Sequence, residues 1–138
     1  MAGPSSANRF RTPMSRARGL GASHHGVGHF ITERVSGLAL IPLALWALFA
    51  GLRLSSSAYR SWDAVSDWVR APHNTVLLSL LIIVALIHLK GAVQVVIEDY
   101  FPDFTLKTVL VVANLFVCVL GGALGVVAIL KVAFTGAL

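Results

Sequence analysis

The stretch TVLLSLLIIVALIHLKGAVQVVI, residues 75–97, decides the fold. A membrane-spanning helix needs ~20 predominantly apolar residues. This run meets that length, and its only strongly polar interruptions are His88, Lys90 and Gln94. Two further runs qualify, Val35 to Leu52 and about Leu106 to Phe134. The chain is 57% hydrophobic and 12% charged, with a mean hydropathy of +0.81. It is too apolar for an ordinary soluble domain, and the three runs leave no room for a soluble catalytic one. The expectation is an all-α membrane protein with three transmembrane helices, spanning about 30–53, 75–98 and 106–134. A basic tail, 1–28, precedes a membrane domain, 29–138.

The flanks of the runs set orientation and helix ends. Arg9, Arg11, Arg16 and Arg18 precede the first run, and no acid appears before Glu33. The positive-inside rule then keeps the N-terminus cytoplasmic, and three spans put the C-terminus on the periplasmic side of a bacterial inner membrane. A basic, Ser-containing, acid-free N-terminus also resembles a mitochondrial transit peptide, so a mitochondrial inner membrane is the alternative. The first helix should start near His29 and kink mildly at Pro42. In SWDAVSDWVR, residues 61–70, Trp62, Val65 and Val69 share one side at helical spacing, with Trp68 nearby. That pattern suits a short amphipathic helix in the headgroup layer. In PHNT, residues 72–75, Asn74 is the expected N-cap of the second span. Phe101-Pro102 should end that span, and Asp103 or Thr105 could cap the third. Gly121-x-x-x-Gly125 is a small-xxx-small pattern for close helix packing. The lone Cys118 reads as a buried, unreactive thiol.

Ionisable groups inside a span cost ~3 kcal/mol each on insertion scales, so each needs a reason. His88 lies ~15 Å from the end of its helix, near the middle of a ~30 Å hydrocarbon core. Its neighbours at i−3, i+3 and i+4 are Ala85, Gly91 and Ala92. That bare face has two readings. It makes room for a large flat ligand with imidazole on iron, or it lets His88 bond to a packed neighbouring helix. Lys90 points away from that face, toward headgroups or a partner chain, and Gln94 is expected to bond to a neighbouring helix. Asp99 and Tyr100 sit ~18 Å away at the helix end, turned by about 120°. They read either as a polar interfacial end or as a phenol, held by a carboxylate, that donates to a ligand carbonyl. Arg34 is either a positive-inside anchor or a fork for a carboxylate. His24, His25 and His29 have no accompanying acid or cysteine and make an unconvincing metal site.

Residues 88–100, HLKGAVQVVIEDY, with the mid-membrane His88 and Asp99-Tyr100 eleven and twelve positions later, resemble the hydrophobic D-type anchor of succinate dehydrogenase, complex II. RTPMSRARGLG, residues 11–21, and HHGVGHFITERVSGLALIPLALW, residues 24–46, are similar to that family's first helix. The resemblance implies a subunit of a heteromeric helical bundle, without catalytic activity of its own. It implies haem b with His88 as an axial iron ligand, the second axial ligand coming from a partner. It implies Arg34 near the haem propionates, and Tyr100 with Asp99 beside ubiquinone. The implied partners are a C-type cytochrome b anchor, an iron–sulfur subunit and a flavoprotein, within membrane lipid and without nucleic acid. The segment ERVSG, residues 33–37, is also similar to the HRxSG segment of C-type anchors, which leaves Ser36 between two roles. A related quinol:fumarate reductase anchor, a membrane scaffold or assembly protein, and a small transporter subunit are the competing readings. A transporter would want polar residues on several spans, and the third carries only Asn114 and Lys131.

Overall fold

A computed structural model describes Thr12, Met14 and residues 26–135. Its elements are α1 (Gly26–Leu54), a 3-10 turn (Ser57–Tyr59), α2 (Trp62–Arg70), α3 (Pro72–Tyr100) and α4 (Phe104–Thr135). Among the described residues α1, α3 and α4 are long and apolar enough to cross a membrane. They contain 29, 29 and 32 residues. At ~1.5 Å per residue each exceeds a ~30 Å hydrocarbon core, so their ends reach the headgroup layers. The segment expected as tail is helical from Gly26, and α1 runs through Pro42 to Leu54 as one helix. His24 and His25 lie outside the described residues.

The helices alternate up, down, up. α3 is the middle element, and both α1 and α4 pack on it. Hydroxyls along the spans bond back within their own helix, as Thr32 does to the Gly28 carbonyl, Ser79 to Thr75 and Thr108 to Phe104. That return bond is what lets them sit in an apolar run. The α3–α4 contact uses two glycines. A Cβ at Gly122 would lie 3.2 Å from Leu86 Cδ1, and one at Gly125 would lie 3.0 Å from Ile82 Cδ1. Gly121 meets nothing within 4 Å. The close approach is therefore made by Gly122 and Gly125, three apart, and not by the expected Gly121 and Gly125. A helix face repeats every 3.6 residues, and neighbouring packing decides between three and four. Gly125→Leu should overpack the α3–α4 contact, by about 1–3 kcal/mol, and lower the melting temperature of the detergent-purified protein. Gly121→Leu should leave it nearly unchanged.

The ends follow local chemistry. Ser61 Oγ accepts from Ala64 N–H at 3.3 Å and caps α2. Asp103 Oδ2 accepts from Leu106 N–H at 3.0 Å and caps α4, as expected. α3 stops at Phe101, whose φ of −107° and ψ of 107° are the extended values a residue before proline prefers. Asn74 departs from expectation. Pro72 already opens α3, with Ala71 as its N-cap and no side chain capping it. Proline suits that first position because its missing N–H would have had no intrahelical partner. Asn74 instead donates from Nδ2 to the Trp68 carbonyl at 2.7 Å, and Thr75 Oγ1 donates to the Val69 carbonyl at 2.6 Å. Together they satisfy carbonyls that the end of α2 leaves open. Trp68 stacks on Trp46 of α1, with ring centroids 6.1 Å apart, so α2 is fastened to α1 and α3. Trp62 is half exposed, while Val65 and Val69 are partly covered.

Candidate functional site

The polar groups inside the spans meet at one level. Ser36 lies ~15 Å into α1, His88 ~18 Å from the end of α3 and Asn114 ~15 Å into α4, at the helical rise of 1.5 Å per residue. Ser36 Oγ and His88 Nδ1 are 3.1 Å apart. Glu33 Oε1 lies 3.8 Å from the same nitrogen. Gly37 faces the ring edge, where an added Cβ would be 3.3 Å from Cε1. Glu33, Ser36 and Gly37 fall on one face of α1 by the three-to-four-residue rule. His88 and Gly91 do the same on α3. The space expected beside His88 at Gly91 is taken by α1: a Cβ on Gly91 would run into the Glu33 carboxylate, 2.8 Å from Cδ and 3.0 Å from Oε1.

Ser36 Oγ lies 3.1 Å from both the Glu33 carbonyl and His88 Nδ1, so the direction of its one proton sets the imidazole tautomer. When that proton goes to the Glu33 carbonyl, the oxygen accepts from His88 and the imidazole proton is on Nδ1, the side that also faces the Glu33 carboxylate. The lone pair of the neutral ring is left on Nε2, the arrangement found in metal-ligating histidines whose other nitrogen is held by an outer partner. The His88 side chain is 37% exposed in the isolated chain. A group shared with a neighbouring subunit could reach it. A ring held inside the chain through Nδ1 and partly exposed on its remaining surface fits a haem ligand shared with a neighbouring subunit.

The other predicted site residues lie elsewhere. Arg34 is exposed on α1, its guanidinium 5.1 Å from the Phe30 ring centroid. Two residues from Ser36, it points about 160° away from the His88 contact. Asp99 is exposed, and Tyr100 is 79% exposed at the end of α3. Its phenol is ~18 Å along the helix from His88. The described residues therefore hold two stations, an interior one at His88 and a terminal one at Asp99-Tyr100. Gln94 does not cross to another helix; it donates to Glu98 Oε1 at 2.8 Å on its own. The two are four residues apart, so their side chains are neighbours on one helix face.

Glu33 and Ser36 as partners of His88 are not visible in local spacing, since the pair is 52 residues apart. The available signal was a carboxylate and a hydroxyl three apart on a face that also carries Gly37. On its other side Glu33 borders an apolar cleft of about 710 Å³ between α1, α3 and α4. Thr32, Lys90 and Cys118 also line it. Asn114 closes the α4 side of this level. Its amide donates to the Lys90 carbonyl at 2.9 Å and its oxygen receives the buried Cys118 thiol at 3.6 Å.

Two kinds of similarity to known proteins bear on this geometry. The sequence model of a family described as "Succinate dehydrogenase/Fumarate reductase transmembrane subunit" matches residues 8–122, which include both stations. A protein of Rickettsia bellii (strain RML369-C) is 28% identical over 106 residues, covering 75% of this chain and 81% of its own. A protein of Paracoccus denitrificans is 27% identical over 111 residues, covering 78% and 81%. A protein of Rickettsia felis (strain URRWXCal2) is 28% identical over 109 residues, covering 78% and 87%. Each of the three carries the name "Succinate dehydrogenase hydrophobic membrane anchor subunit".

Proposed function

The chain belongs to the succinate dehydrogenase/fumarate reductase transmembrane subunit family, and from that membership we propose that it anchors a succinate:ubiquinone oxidoreductase to the membrane and helps to hold haem b and ubiquinone. The observation that supports the cofactor reading is a partly exposed mid-span His88 whose Nδ1 is held by Ser36 and faces the Glu33 carboxylate, so that Nε2 would be the nitrogen offered to iron. Bound haem would supply a one-electron redox centre within the membrane. The chain's own part is to hold and orient the imidazole and to keep its ligating nitrogen deprotonated. Arg34, exposed at nearly the same depth as Ser36 but on the opposite side of α1 from the His88 contact, would pair with a propionate through its planar fork, as the family resemblance implies.

Chemistry on succinate belongs to partner subunits. A flavoprotein would take two electrons and two protons from succinate, and an iron–sulfur subunit would pass the electrons on. Ubiquinone would take them, with two protons from the adjacent aqueous phase, and leave as ubiquinol. The exposed Tyr100 phenol would donate a hydrogen bond to a quinone carbonyl as negative charge grows there, as an oxyanion donor does. Asp99 beside it would orient that phenol. A C-type anchor subunit would complete the quinone pocket and supply the second haem ligand. The basic N-terminal tail supports a cytoplasmic N-terminus in a bacterial inner membrane.

The test is what accompanies the chain when it is purified from membranes. A flavoprotein, an iron–sulfur protein and a second multi-span anchor are expected, with a low-spin b-type band after dithionite reduction. A chain that purifies alone would overturn the anchor reading, and a full complex without a haem band would overturn the cofactor reading. The same assembly running as a quinol:fumarate reductase is the second reading, because the family description covers both. Comparing succinate-to-quinone and quinol-to-fumarate rates in one preparation separates them.

A further inference from the structure

Glu33 is the acid nearest the interior station, and nothing in the anchor reading requires it. An ionisable group at this depth is expensive unless it is used or paired. Its placement is specific. The carboxylate lies 3.8 Å from His88 Nδ1. The missing side chain of Gly91 provides the notch it occupies. Glu33 is 24% exposed, less than the histidine beside it. Ser36 already gives His88 Nδ1 a hydrogen-bond partner at 3.1 Å, closer than the Glu33 carboxylate at 3.8 Å. What it adds is negative charge beside the imidazole.

Resting on the haem reading above, we propose that Glu33 is a positioning residue that sets the redox balance of the His88-ligated haem, its carboxylate favouring the ferric over the ferrous state. Two physical effects act in the same direction. A carboxylate beside the Nδ1 proton raises the basicity of the imidazole as a ligand. It also places negative charge near an iron centre that loses one positive charge on reduction, in a medium of low dielectric where charges are weakly screened. Gly91 serves the same end, because any larger side chain would push the carboxylate out of its place. Ser36 has a separate role, in holding the Nδ1 edge of the ring.

The test is a spectroscopic redox titration of the intact complex from membranes, comparing wild type with Glu33→Gln, Glu33→Asp and Gly91→Ala. Glu33→Gln keeps the shape and removes the charge. It should shift the reduction equilibrium toward the ferrous form by about tenfold, which for a one-electron couple is about 59 mV. Gly91→Ala should shift it the same way by displacing the carboxylate. Glu33→Asp, which keeps a charge, should stay closer to wild type than either. A structural role alone would change haem content or stability without this ordered shift in potential. Loss of haem from Glu33→Gln, with Glu33→Asp still titrating near wild type, would assign Glu33 to haem retention and overturn the proposal. Equal potentials in wild type and Glu33→Gln would overturn it while leaving the haem reading intact. A wild-type complex without haem would overturn that reading, and this inference with it.

Discussion

Complexes carrying His88→Ala are expected to lose their b-type haem band almost entirely, to below about a tenth of the wild-type haem per flavin. Removing an outer partner of a metal ligand typically costs 10–100-fold in affinity, and removing the ligand itself should cost at least as much. The substitution also leaves Ser36 and Glu33 without the ring they face. Because that ring is partly exposed in the isolated chain and carries no apolar core, the helices should still assemble. The measurement is the dithionite-reduced-minus-oxidised spectrum, normalised to flavin. Haem retained at wild-type level would mean that His88 serves helix packing. Ser36→Ala should have the milder outcome, weakened haem retention, since the imidazole keeps its ligating atom and loses only its hydrogen-bond partner at Nδ1.

Tyr100→Phe should give the second large effect, confined to quinone. Removing one preorganised donor to a developing negative oxygen costs on the order of a hundredfold in rate. Quinone reduction should fall by roughly that factor, while succinate oxidation by a soluble dye stays within about twofold of wild type. The exposure of Tyr100 sharpens the test. At 79% exposed within the chain, the phenol contributes little to the chain's own fold, so the variant should assemble normally. Equal loss in both assays would assign Tyr100 to assembly. The depth difference between Tyr100 and His88 adds a second discrimination, because Tyr100→Phe should leave the haem band intact and His88→Ala should abolish it.

The three spans were readable because their signal is local. Some twenty apolar residues in a row mean the same thing whatever surrounds them. The stop at Phe101-Pro102 and the Asp103 cap were readable for the same reason, since both act within four residues. Asn74 shows where that logic fails. Its type and place suited an N-cap, yet Pro72 had already started the helix, and the side chain turned back to the preceding carbonyls. Gly121 and Gly125 fail differently. The pattern signals close packing, but the face that packs depends on the rotation of α4 against α3, and Gly122 takes the place of Gly121. At His88 the sequence exposed the anomaly and a bare flank, but not the occupant of that flank. The occupant comes from another helix, and the register between two helices is a tertiary property.

Two kinds of bond separate in chain distance, and this bears on the order of assembly. Asn74 and Thr75 bond to carbonyls six residues behind them. Short loops close at small entropic cost. The corner joining α2 to α3 can therefore set during insertion, once the start of α3 is in place, before α4 or any other subunit arrives. The Ser36–His88 pair closes across 52 residues and needs α1 and α3 side by side. The α2–α3 corner is thus a joint made early, and the interior station is one made late. A newly inserted chain would have its shape at one end of the membrane before Ser36 and His88 meet in the middle.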